Sequence, residues 1–556
     1  MITCKNLSHQ PGINGPRILN GITAHFPSKG LNAIVGPSGC GKTTLLKVFL
    51  GLVESTGVIE FTGSAMPQSI GFVPQFCVAH PNLSVHESLA YAYDLSSLET
   101  AKKKAILNRV LELTGLAEHA AKEVSGLSGG QLRRMGLALE LVCNPSALIC
   151  DEVTSGLDPL SEDQILEMLR TLVTEEQKTL LCTIHNLGKL SEFDHITVLY
   201  KGHLVYQGTY PDLMAWFEIE DPLRLYHALG AHPLEFWLDK WSQMGPYLPV
   251  KEDLAQAPVE AEAPEPDAGI AQRPGFCSQW FTLLRRRYSL LARDTGYLWL
   301  LLALTFGFPC IVVIFAIKGL PQIEGLALER SGSFVQQLQG DLRYRMEAAE
   351  TATLVTGLVM FQVVLLALMG ANNGAREIAA ERPIYEKERL RGLRPAAYAA
   401  SKLIFTGSIA LLQGVWMALF VKVICRFPGG YFPQLLILAF SCIAMTYICL
   451  GISALHRSAE RASLLSIYLV GFQLPLSGVV LALPDAVVWL LRPWINAYWS
   501  WAGYFGPMKD YQVYDAFRME NANWLPSTHL AATVLGLHML LGISMVIAGS
   551  RRRLWG

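Results

Sequence analysis

The pattern of hydrophobic and polar positions divides the chain into a part with short apolar runs and a part with long ones. In residues 1–245, short runs such as Leu31–Val35, Leu148–Cys150 and Leu180–Ile184 alternate with segments of helical periodicity. Runs of this length between amphipathic segments are typical of strands between helices. The first part of the sequence therefore predicts a soluble α/β domain.

The second part, residues 295–556, contains six uncharged apolar runs, each near the length of about 20 residues that spans a bilayer. The runs are Tyr297–Ile317, Ala352–Ala371, Leu403–Val421, Gln434–Leu455, Ala462–Leu483 and Leu530–Gly549. This part predicts an all-α transmembrane domain with six spans.

Two segments join these parts. Residues 246–274 are rich in Pro, Ala and Glu and predict a disordered or extended linker. Residues 275–294 predict an amphipathic connecting helix. Its apolar face holds Phe276, Trp280, Leu283, Leu284 and Leu291, and its polar face holds Arg285, Arg286, Ser289 and Arg293. Such a helix suits the cytoplasmic membrane surface, with packing on the soluble domain as the alternative.

Composition and charge support this division. The chain is 51% hydrophobic and 16% charged, against about 25% charged residues in ordinary soluble domains. The net charge of −1 argues against a nucleic-acid partner. Lysine and arginine concentrate in residues 372–402, before the first span and at Arg551–Arg553, which predicts that the first domain and both termini are cytoplasmic. Eleven cysteines without a C-x-x-C pair suggest reduced thiols.

The strongest chemical signal is a match to the pattern G-x-x-x-x-G-K-[ST], which follows an apolar run and opens a helical segment. The residues of this predicted P-loop are Gly36, Pro37, Ser38, Gly39, Cys40, Gly41, Lys42 and Thr43, followed by Thr44. Backbone N–H groups of such a loop wrap the phosphates of ATP, and the helix N-terminus adds a favourable dipole. We expect Lys42 to contact the β- and γ-phosphates and the Thr43 hydroxyl to hold Mg²⁺.

Two adjacent acids, Asp151 and Glu152, end another apolar run. At the carboxyl end of a strand, Asp151 is placed to bind Mg²⁺, directly or through water. Glu152 is then placed to orient or deprotonate the attacking water.

Between these motifs lies a segment by which the chain resembles the ATP-binding cassette (ABC) family, whose signature reads LSGGQ: Leu127, Ser128, Gly129, Gly130 and Gln131. Other family motifs follow the family order, with Gln75 in the Q-loop, Asp158 in the D-loop and His185 as the switch histidine. The resemblance implies that Gln75 and His185 act with Glu152 in catalysis, and that Gln75 contributes to the metal site. It also implies that the signature and Asp158 bind ATP.

The order of domains resembles the G subfamily of ABC transporters, the White-type half-transporters. Residues 232–239, 381–402 and 476–480 resemble, more loosely, other segments of that subfamily, the last of them its apolar plug. In this family ATP lies between the P-loop of one subunit and the signature of another, which implies a second half-transporter subunit. A homodimer is expected because every catalytic position is present, and a heterodimer remains the alternative.

Two positions depart from the family pattern. The stretch upstream of the P-loop, where the family usually stacks an aromatic residue on adenine, offers only His9, and Val153 replaces a common proline. The outer segments 318–351 and 484–529 lack cysteines and N-x-S/T sequons. This absence favours a bacterial protein of the inner membrane.

The predicted spans two and five limit the chemical class of the transported molecule, because they hold no acidic or basic residue. Since ion pathways in membranes normally display such groups, this absence favours a hydrophobic or amphipathic substrate, lipid-like or drug-like. Gln362 and Gln473 either line the path or bond between helices, and His538 is expected to do the latter. The alternative function is that of a mechanotransmitter, an ATPase that acts on a membrane partner without transporting substrate.

Overall fold

The structure is a computed structural model that describes residues 2–12, 15–61, 70–97, 99–244, 274–317, 334–479, 484–511, 514 and 525–552. The contacts divide the chain into two compact units. The ATPase unit comprises Met1–Thr282 and Pro383–Leu393, and the membrane unit comprises Leu283–Arg382 and Arg394–Arg552. Apart from Pro274, the predicted linker lies outside the described residues.

The strands of the ATPase unit include each of the three runs predicted above. They are β1 (Ile2–His9), β2 (Leu19–Phe26), β3 (Leu31–Val35), β4 (Thr56–Phe61), β5 (Ile70–Val73), β6 (Ala147–Cys150), β7 (Thr179–Thr183), β8 (His195–Tyr200) and β9 (His203–Gly208). Among the described residues, six strands form one sheet in the order β5-β6-β7-β3-β8-β9. Its first five strands are parallel, and β9 pairs antiparallel to β8. Strands β2, β1 and β4 form a smaller antiparallel sheet.

Helices of the ATPase unit cover the larger sheet. They are α1 (Lys42–Phe49), α2 (Val85–Ser96), α3 (Thr100–Leu113), α4 (Gly129–Leu141), α5 (Pro159–Thr174), α6 (Tyr210–Phe217), α7 (Leu225–Ala231) and α8 (Leu234–Met244). Strand β3 is buried on both faces, because Leu31, Ala33 and Val35 join one hydrophobic cluster while Ile34 joins another. Burial on both faces explains why this strand reads as a continuous apolar run rather than an alternating one.

A connecting helix and ten further helices, long and short, follow among the described residues, and most of them belong to the membrane unit. They are α9 (Phe276–Arg293), α10 (Thr295–Ala316), α11 (Phe334–Gly374), α12 (Arg382–Leu390), α13 (Pro395–Cys425), α14 (Tyr431–Leu455), α15 (Ala459–Gly471), α16 (Gln473–Leu476), α17 (Asp485–Leu491), α18 (Asn496–Phe505) and α19 (Thr528–Arg551). Helix α14 is central in this unit, since it packs against α11, α13, α18 and α19.

Five helices of the described residues are long and apolar enough to cross a membrane, and they correspond to predicted spans one to four and six. The continuous fifth span expected over Ala462–Leu483 is not confirmed. Its helix α15 ends at Gly471, and the short α16 follows. The cause is Pro475, which lacks an N–H and whose ring clashes with the carbonyl four residues earlier, that of Gly471. Residues 480–483, including Val480 of the predicted plug, lie outside the described residues.

The outer segment 484–529 contains α18, whose ten residues are all buried. The N-terminus of this helix is held by side chains, because Ala497 N donates to Oε1 of Gln473 at 3.0 Å. The side chain of Asn496 accepts from the Ser441 hydroxyl at 2.9 Å. Helix α18 is therefore part of the core of the membrane unit rather than a surface element.

The connecting helix forms as predicted, but its two faces differ from the expected ones. Its buried face holds Gln279, Leu283, Arg286 and Leu290, whereas Phe276 is 39% exposed. Arg286 was expected on the polar face and is 3% exposed. The reason is an ion pair at 3.4 Å with Glu381, which allows a guanidinium to be buried.

Candidate active site

The candidate catalytic segments all follow the carboxyl ends of four neighbouring parallel strands, β5, β6, β7 and β3. Gln75 follows β5, the acids Asp151 and Glu152 follow β6, His185 follows β7, and the P-loop follows β3. Ligands of open α/β sheets bind at this edge. Motifs that are up to about 150 residues apart in sequence are thus brought to one place by strand order alone.

The P-loop turns sharply between β3 and α1. At Gly36, a Cβ would lie 2.2 Å from the carbonyl oxygen of Leu199, so no larger residue fits there. Gly41 has a φ of 103° and directly precedes α1, a conformation that L side chains rarely adopt. Lys42 is 6% exposed, and its ammonium donates to the carbonyl of Gly36 at 2.7 Å. The loop therefore holds a buried cation at a helix N-terminus, which suits a polyphosphate.

Asp151 fits the predicted role of a magnesium ligand. Its Oδ1 accepts from the hydroxyls of Thr183 at 2.8 Å and Thr43 at 3.3 Å. Burial raises the pKa of this carboxyl above its ordinary value, against the hydrogen bond from Thr183, which lowers it. A divalent cation would offset the cost of this buried charge, and carboxylate and hydroxyl oxygens are ligands that Mg²⁺ accepts.

Glu152 is held between the two other predicted catalytic residues. Its Oε2 accepts from Nε2 of Gln75 at 2.8 Å, and its Oε1 lies 2.5 Å from Nε2 of His185. With Glu152 ionised, the ring N–H of His185 is the donor. The backbone of Glu152 has a φ of 50°, a strained conformation of the kind that clusters at active sites. The structure thus brings Gln75, Glu152 and His185 together.

Thr183 is a site residue that the sequence analysis missed. Its hydroxyl donates to Asp151 and accepts from the backbone N–H of Glu152 at 2.8 Å. One threonine therefore orients both acids. The available signal was its place at the end of the apolar run before His185, where a hydroxyl is unusual, but nothing in the sequence showed which strand lies beside β6.

The signature residues lie at the start of α4, where Ser128 and Gln131 form a reciprocal capping box. The Gln131 amide also contacts Nε2 of His119 at 2.8 Å, a second partner that the sequence analysis missed. Asp158 likewise caps α5, accepting from the N–H of Ser161 at 3.0 Å. None of the contacts described for Leu127–Gln131 or Asp158 reaches the P-loop. Within one chain, no described hydrogen bond joins the two predicted halves of the nucleotide site.

The structure also bears on the aromatic residue that would stack on adenine, which the sequence lacks upstream of the P-loop. His9, the sole candidate upstream of the P-loop, has its Nδ1 2.5 Å from the carbonyl oxygen of Glu54. The ring is therefore already engaged by the antiparallel sheet, in which β1 pairs with β4. This contact gives no support to His9 as the residue that stacks on adenine.

A second cluster of buried charge lies near the other end of the signature helix. Glu140, 2% exposed in α4, pairs with Lys387 at 3.2 Å and with Arg391, whose Nε donates to it at 3.0 Å. Burial acts to raise the pKa of Glu140, but the charges of Arg391 and Lys387 outweigh it and hold this pKa below its ordinary value. Both cations come from Pro383–Leu393, the part of the loop between spans two and three that packs with the ATPase unit.

The polar residues of the predicted substrate path bond between helices. Gln362 is fully buried and donates to the carbonyl of Met417 at 3.4 Å. Gln473 holds α18, as described above, and His538 contacts the carbonyl of Pro493 at 2.9 Å. The expectation for His538 is confirmed, and the two glutamines follow the second of their alternatives. All eleven cysteines lie in the described residues and are free, as expected.

Comparison with known proteins finds a matching family for each of the two units. A family profile described as "ABC transporter" matches residues 19–155, and one described as "ABC-2 type transporter" matches residues 278–507. The chain is 31% identical over 228 residues to the energy-coupling factor transporter ATP-binding protein EcfA1 of Mycoplasmopsis pulmonis, a match that covers 38% of this chain and 84% of that protein. The chain belongs to the ABC transporter family. Its first unit is the ATPase domain of this family, and its second unit is an ABC-2 type membrane domain.

Two relatives extend the similarity to the order of domains. The ABC transporter ATP-binding/permease protein Rv1747 of Mycobacterium tuberculosis is 28% identical over 508 residues, which cover 87% of this chain and 55% of that protein. ABC transporter G family member 26 of Arabidopsis thaliana is 34% identical over 238 residues, which cover 40% of this chain and 34% of that protein. The chain thus spans about half and about a third of their lengths. An ATPase domain followed by an ABC-2 domain is the arrangement of a G-type half-transporter, as the sequence predicted.

Proposed function

We propose that this ABC transporter chain is one half of an ATP-driven exporter or floppase of hydrophobic or amphipathic molecules. The observation that carries the proposal is the placement of Glu152 between Gln75 and His185, in a chain that continues into an ABC-2 type membrane domain. We further propose that the protein lies in the bacterial inner membrane with its ATPase domain and both termini in the cytoplasm.

The contacts of Glu152 support a role as general base in hydrolysis. Its carboxylate takes a proton from the water that attacks the γ-phosphorus of ATP, while the bond from that phosphorus to the leaving oxygen of ADP breaks. Lys42 and the P-loop N–H groups would bind the phosphates, and Thr43, Asp151 and Gln75 would hold Mg²⁺, which when bound would supply charge neutralisation. His185 and Gln75 fix the Glu152 carboxylate through the hydrogen bonds described above, so that little reorganisation is needed at reaction.

The absence of a described hydrogen bond between the signature and the P-loop within one chain supports a dimer with two composite sites. We propose a homodimer because one chain holds every candidate catalytic residue. In a mixed preparation, a Lys42→Ala chain and a Ser128→Arg chain each contribute one intact half, so the heterodimer should regain one working site while each parent dimer has none. ATPase activity of the purified heterodimer tests this. Activity no higher than that of the parents would contradict independent composite sites.

The Glu140 cluster supports a mechanical link between hydrolysis and the membrane domain. Glu140 lies near the C-terminus of α4, and Ser128 of the signature caps its N-terminus. A displacement of this helix would therefore carry Lys387 and Arg391 with it, because leaving a buried carboxylate unpaired is costly. We propose that residues 372–402 are the lever that nucleotide-driven closure moves.

The substrate class is supported by the lack of acidic or basic residues in predicted spans two and five. The alternative, a mechanotransmitter, predicts ATPase activity without transport. Reconstitution into proteoliposomes decides between them: fluorescent phospholipids and hydrophobic dyes should move across the bilayer with MgATP and not in the Glu152→Gln variant. Robust ATPase activity with no movement of any probe would favour the mechanotransmitter.

A further inference from the structure

Arg382 occupies an unusual position at the first residue of α12. The side chain is only 4% exposed, and its contacts include backbone carbonyls from two different helices. Its Nη1 donates to the carbonyl of Gly549 at 3.2 Å, and its Nη2 donates to the carbonyl of Ala454. These carbonyls belong to the last turns of α19 and α14, where backbone oxygens have no partner within their own helix. A guanidinium at two helix C-termini also suits both helix dipoles.

The two helices that Arg382 joins are closely packed along their length. A Cβ added at Gly542 would lie 2.5 Å from the backbone carbon of Tyr447, and one at Gly549 would lie 2.5 Å from the carbonyl oxygen of Ala454. The backbones of α14 and α19 therefore touch at two levels, seven residues apart in α19. Helices in membranes that pack through small residues in this way have little room to slide. We treat α14 and α19 as one body, the α14–α19 pair.

The segment before α12 is attached to the same pair. The hydroxyl of Ser453, in α14, accepts from the N–H groups of Ile378 at 3.2 Å and Ala379 at 3.0 Å. This hydroxyl and Arg382 fasten the end of the loop to the cytoplasmic end expected for α14. The loop continues from span two, and these hydrogen bonds tie it to spans four and six, while Glu377 and Glu381 pair with the connecting helix and with span three.

The other end of α12 carries the ATPase contacts. Lys387 lies five residues after Arg382, and Arg391 follows the end of the helix; both pair with Glu140 as described above. The contact boundary between the two units falls between Arg382 and Pro383. One nine-residue helix therefore carries two buried cations, Arg382 with contacts in the membrane unit and Lys387 with a contact in the ATPase unit.

We propose that Arg382 is a positioning residue that makes the α14–α19 pair follow α12 when the ATPase domains close. The proposal rests on the proposed function, since it specifies which spans the lever moves. It predicts that spans four and six move together with nucleotide, and that removing the guanidinium donors leaves closure intact but weakens the coupling of these spans, which the Ser453 contacts alone then hold.

Pulsed electron paramagnetic resonance on the full chain in nanodiscs tests the proposal without knowledge of the substrate. A spin label at Ile547→Cys, an exposed position on α19, reports the distance between the two copies in a Glu152→Gln background, with exposed Cys277 and Cys310 replaced by serine. Addition of MgATP should shift this distance in the parent. In the Arg382→Met variant the shift should fall clearly below that of the parent, while MgATP affinity stays within about twofold, below the fivefold lower end of typical coupling between sites.

Lys422→Met is the matched control. Lys422 is also a buried cation of the membrane unit, 3% exposed, and donates to the carbonyl of Gly429 at 2.8 Å and to the side chain of Gln434. Its loss should lower stability without removing the MgATP-dependent shift. If Arg382→Met does not fold, Arg382→Lys replaces it, because one ammonium keeps the charge but not the fork that reaches both carbonyls. The expected shift is then reduced.

The outcomes separate the two proposals. A parent-sized shift in either folded Arg382 variant would overturn the role of Arg382 and leave the transporter function standing. Loss of the shift in Lys422→Met as well would also overturn it, since any buried cation would then serve. A parent that binds MgATP but shows no shift would count against both the inference and the nucleotide-driven lever of the proposed function.

Discussion

The ATPase unit and the membrane unit both bury polar side chains, but they use them differently. In the ATPase unit, the buried Asp151 and the half-buried Glu152 lie at one edge of a sheet, and their hydrogen bonds join segments that face a common ligand site. In the membrane unit, Gln473 and Arg382 instead bond to the backbones of neighbouring helices. The comparison teaches that burial of a polar group does not by itself mark a site. The partners distinguish the two roles. Polar groups of the ligand site bond to side chains from other segments at the same sheet edge, whereas the structural groups bond to the backbone of a neighbouring helix.

The largest expected effect is that of Glu152→Gln in the ATPase unit. The amide of glutamine has about the same size as the carboxylate but cannot act as a base, so turnover should fall by about 10²–10⁴-fold. Steady-state phosphate release measures turnover, and fluorescent nucleotide binding should remain close to wild type. Residual activity above about a tenth of wild type would contradict the role of Glu152 as base.

A smaller effect is expected for Thr183→Val, which removes the hydroxyl that orients both acids. Leaving the N–H of Glu152 without its acceptor should cost about 1–3 kcal/mol, or roughly 5–150-fold in turnover if the loss falls on the transition state. Thr183→Ser is the control and should retain most activity because it keeps the hydroxyl. Equal activity in the valine and serine variants would show that the hydroxyl has no part in the site.

Glu140→Gln tests the charged cluster on the signature helix. Breaking a buried ion pair on one side typically costs about 3–5 kcal/mol, so unfolding of the ATPase unit should occur at lower temperature, and ATPase activity should respond less to the membrane environment. Because the pKa of Glu140 is lowered in the folded chain, its contribution is present above the unfolded pKa of about 4.3 and is lost as pH falls through the folded value.

The difference in melting temperature between wild type and Glu140→Gln should accordingly be large at pH 7 and shrink below pH 4. Calorimetry at both pH values measures this difference. A difference that stays constant across this range would mean that the charge of Glu140 is not what stabilises the cluster.

The smallest expected effect is that of Gln473→Leu in the membrane unit. It leaves the N–H of Ala497 without an acceptor and should lower stability by about 1–3 kcal/mol, with ATPase activity and substrate range unchanged. Thermal unfolding in detergent and dye transport in proteoliposomes measure these effects. A changed substrate range at unchanged stability would place Gln473 on the transport path and weaken the comparison between the two units.

Much of the ATPase site could be read from the sequence because its chemistry depends on local motifs. The P-loop, Asp151, Glu152, Gln75 and His185 each occupy a turn after an apolar run, and the strand order places those turns side by side. Thr183 and His119 could not be found in this way, because their roles depend on which strand or loop lies beside them.

In the membrane unit, apolar runs of spanning length predicted five of the described helices, since a bilayer imposes length and hydropathy on each segment separately. The interruption after Gly471 was not predicted, because the sequence analysis considered the length of the apolar run and not Pro475 within it. The buried position of Arg286 contradicted the polar face assigned to it, because an amphipathic pattern cannot show that Glu381 lies opposite.

The sequence by itself determined the two-part organisation of this chain, the family and the local chemistry of the ATPase motifs, because each depends on residues close together in the chain. Only the tertiary structure decided which buried polar groups hold a ligand site and which hold helices together. Arg382 shows the physical reason. A guanidinium in a charged loop reads as solvent-exposed, and the sequence does not show that two helix C-termini meet at this side chain and supply acceptors that help to permit its burial.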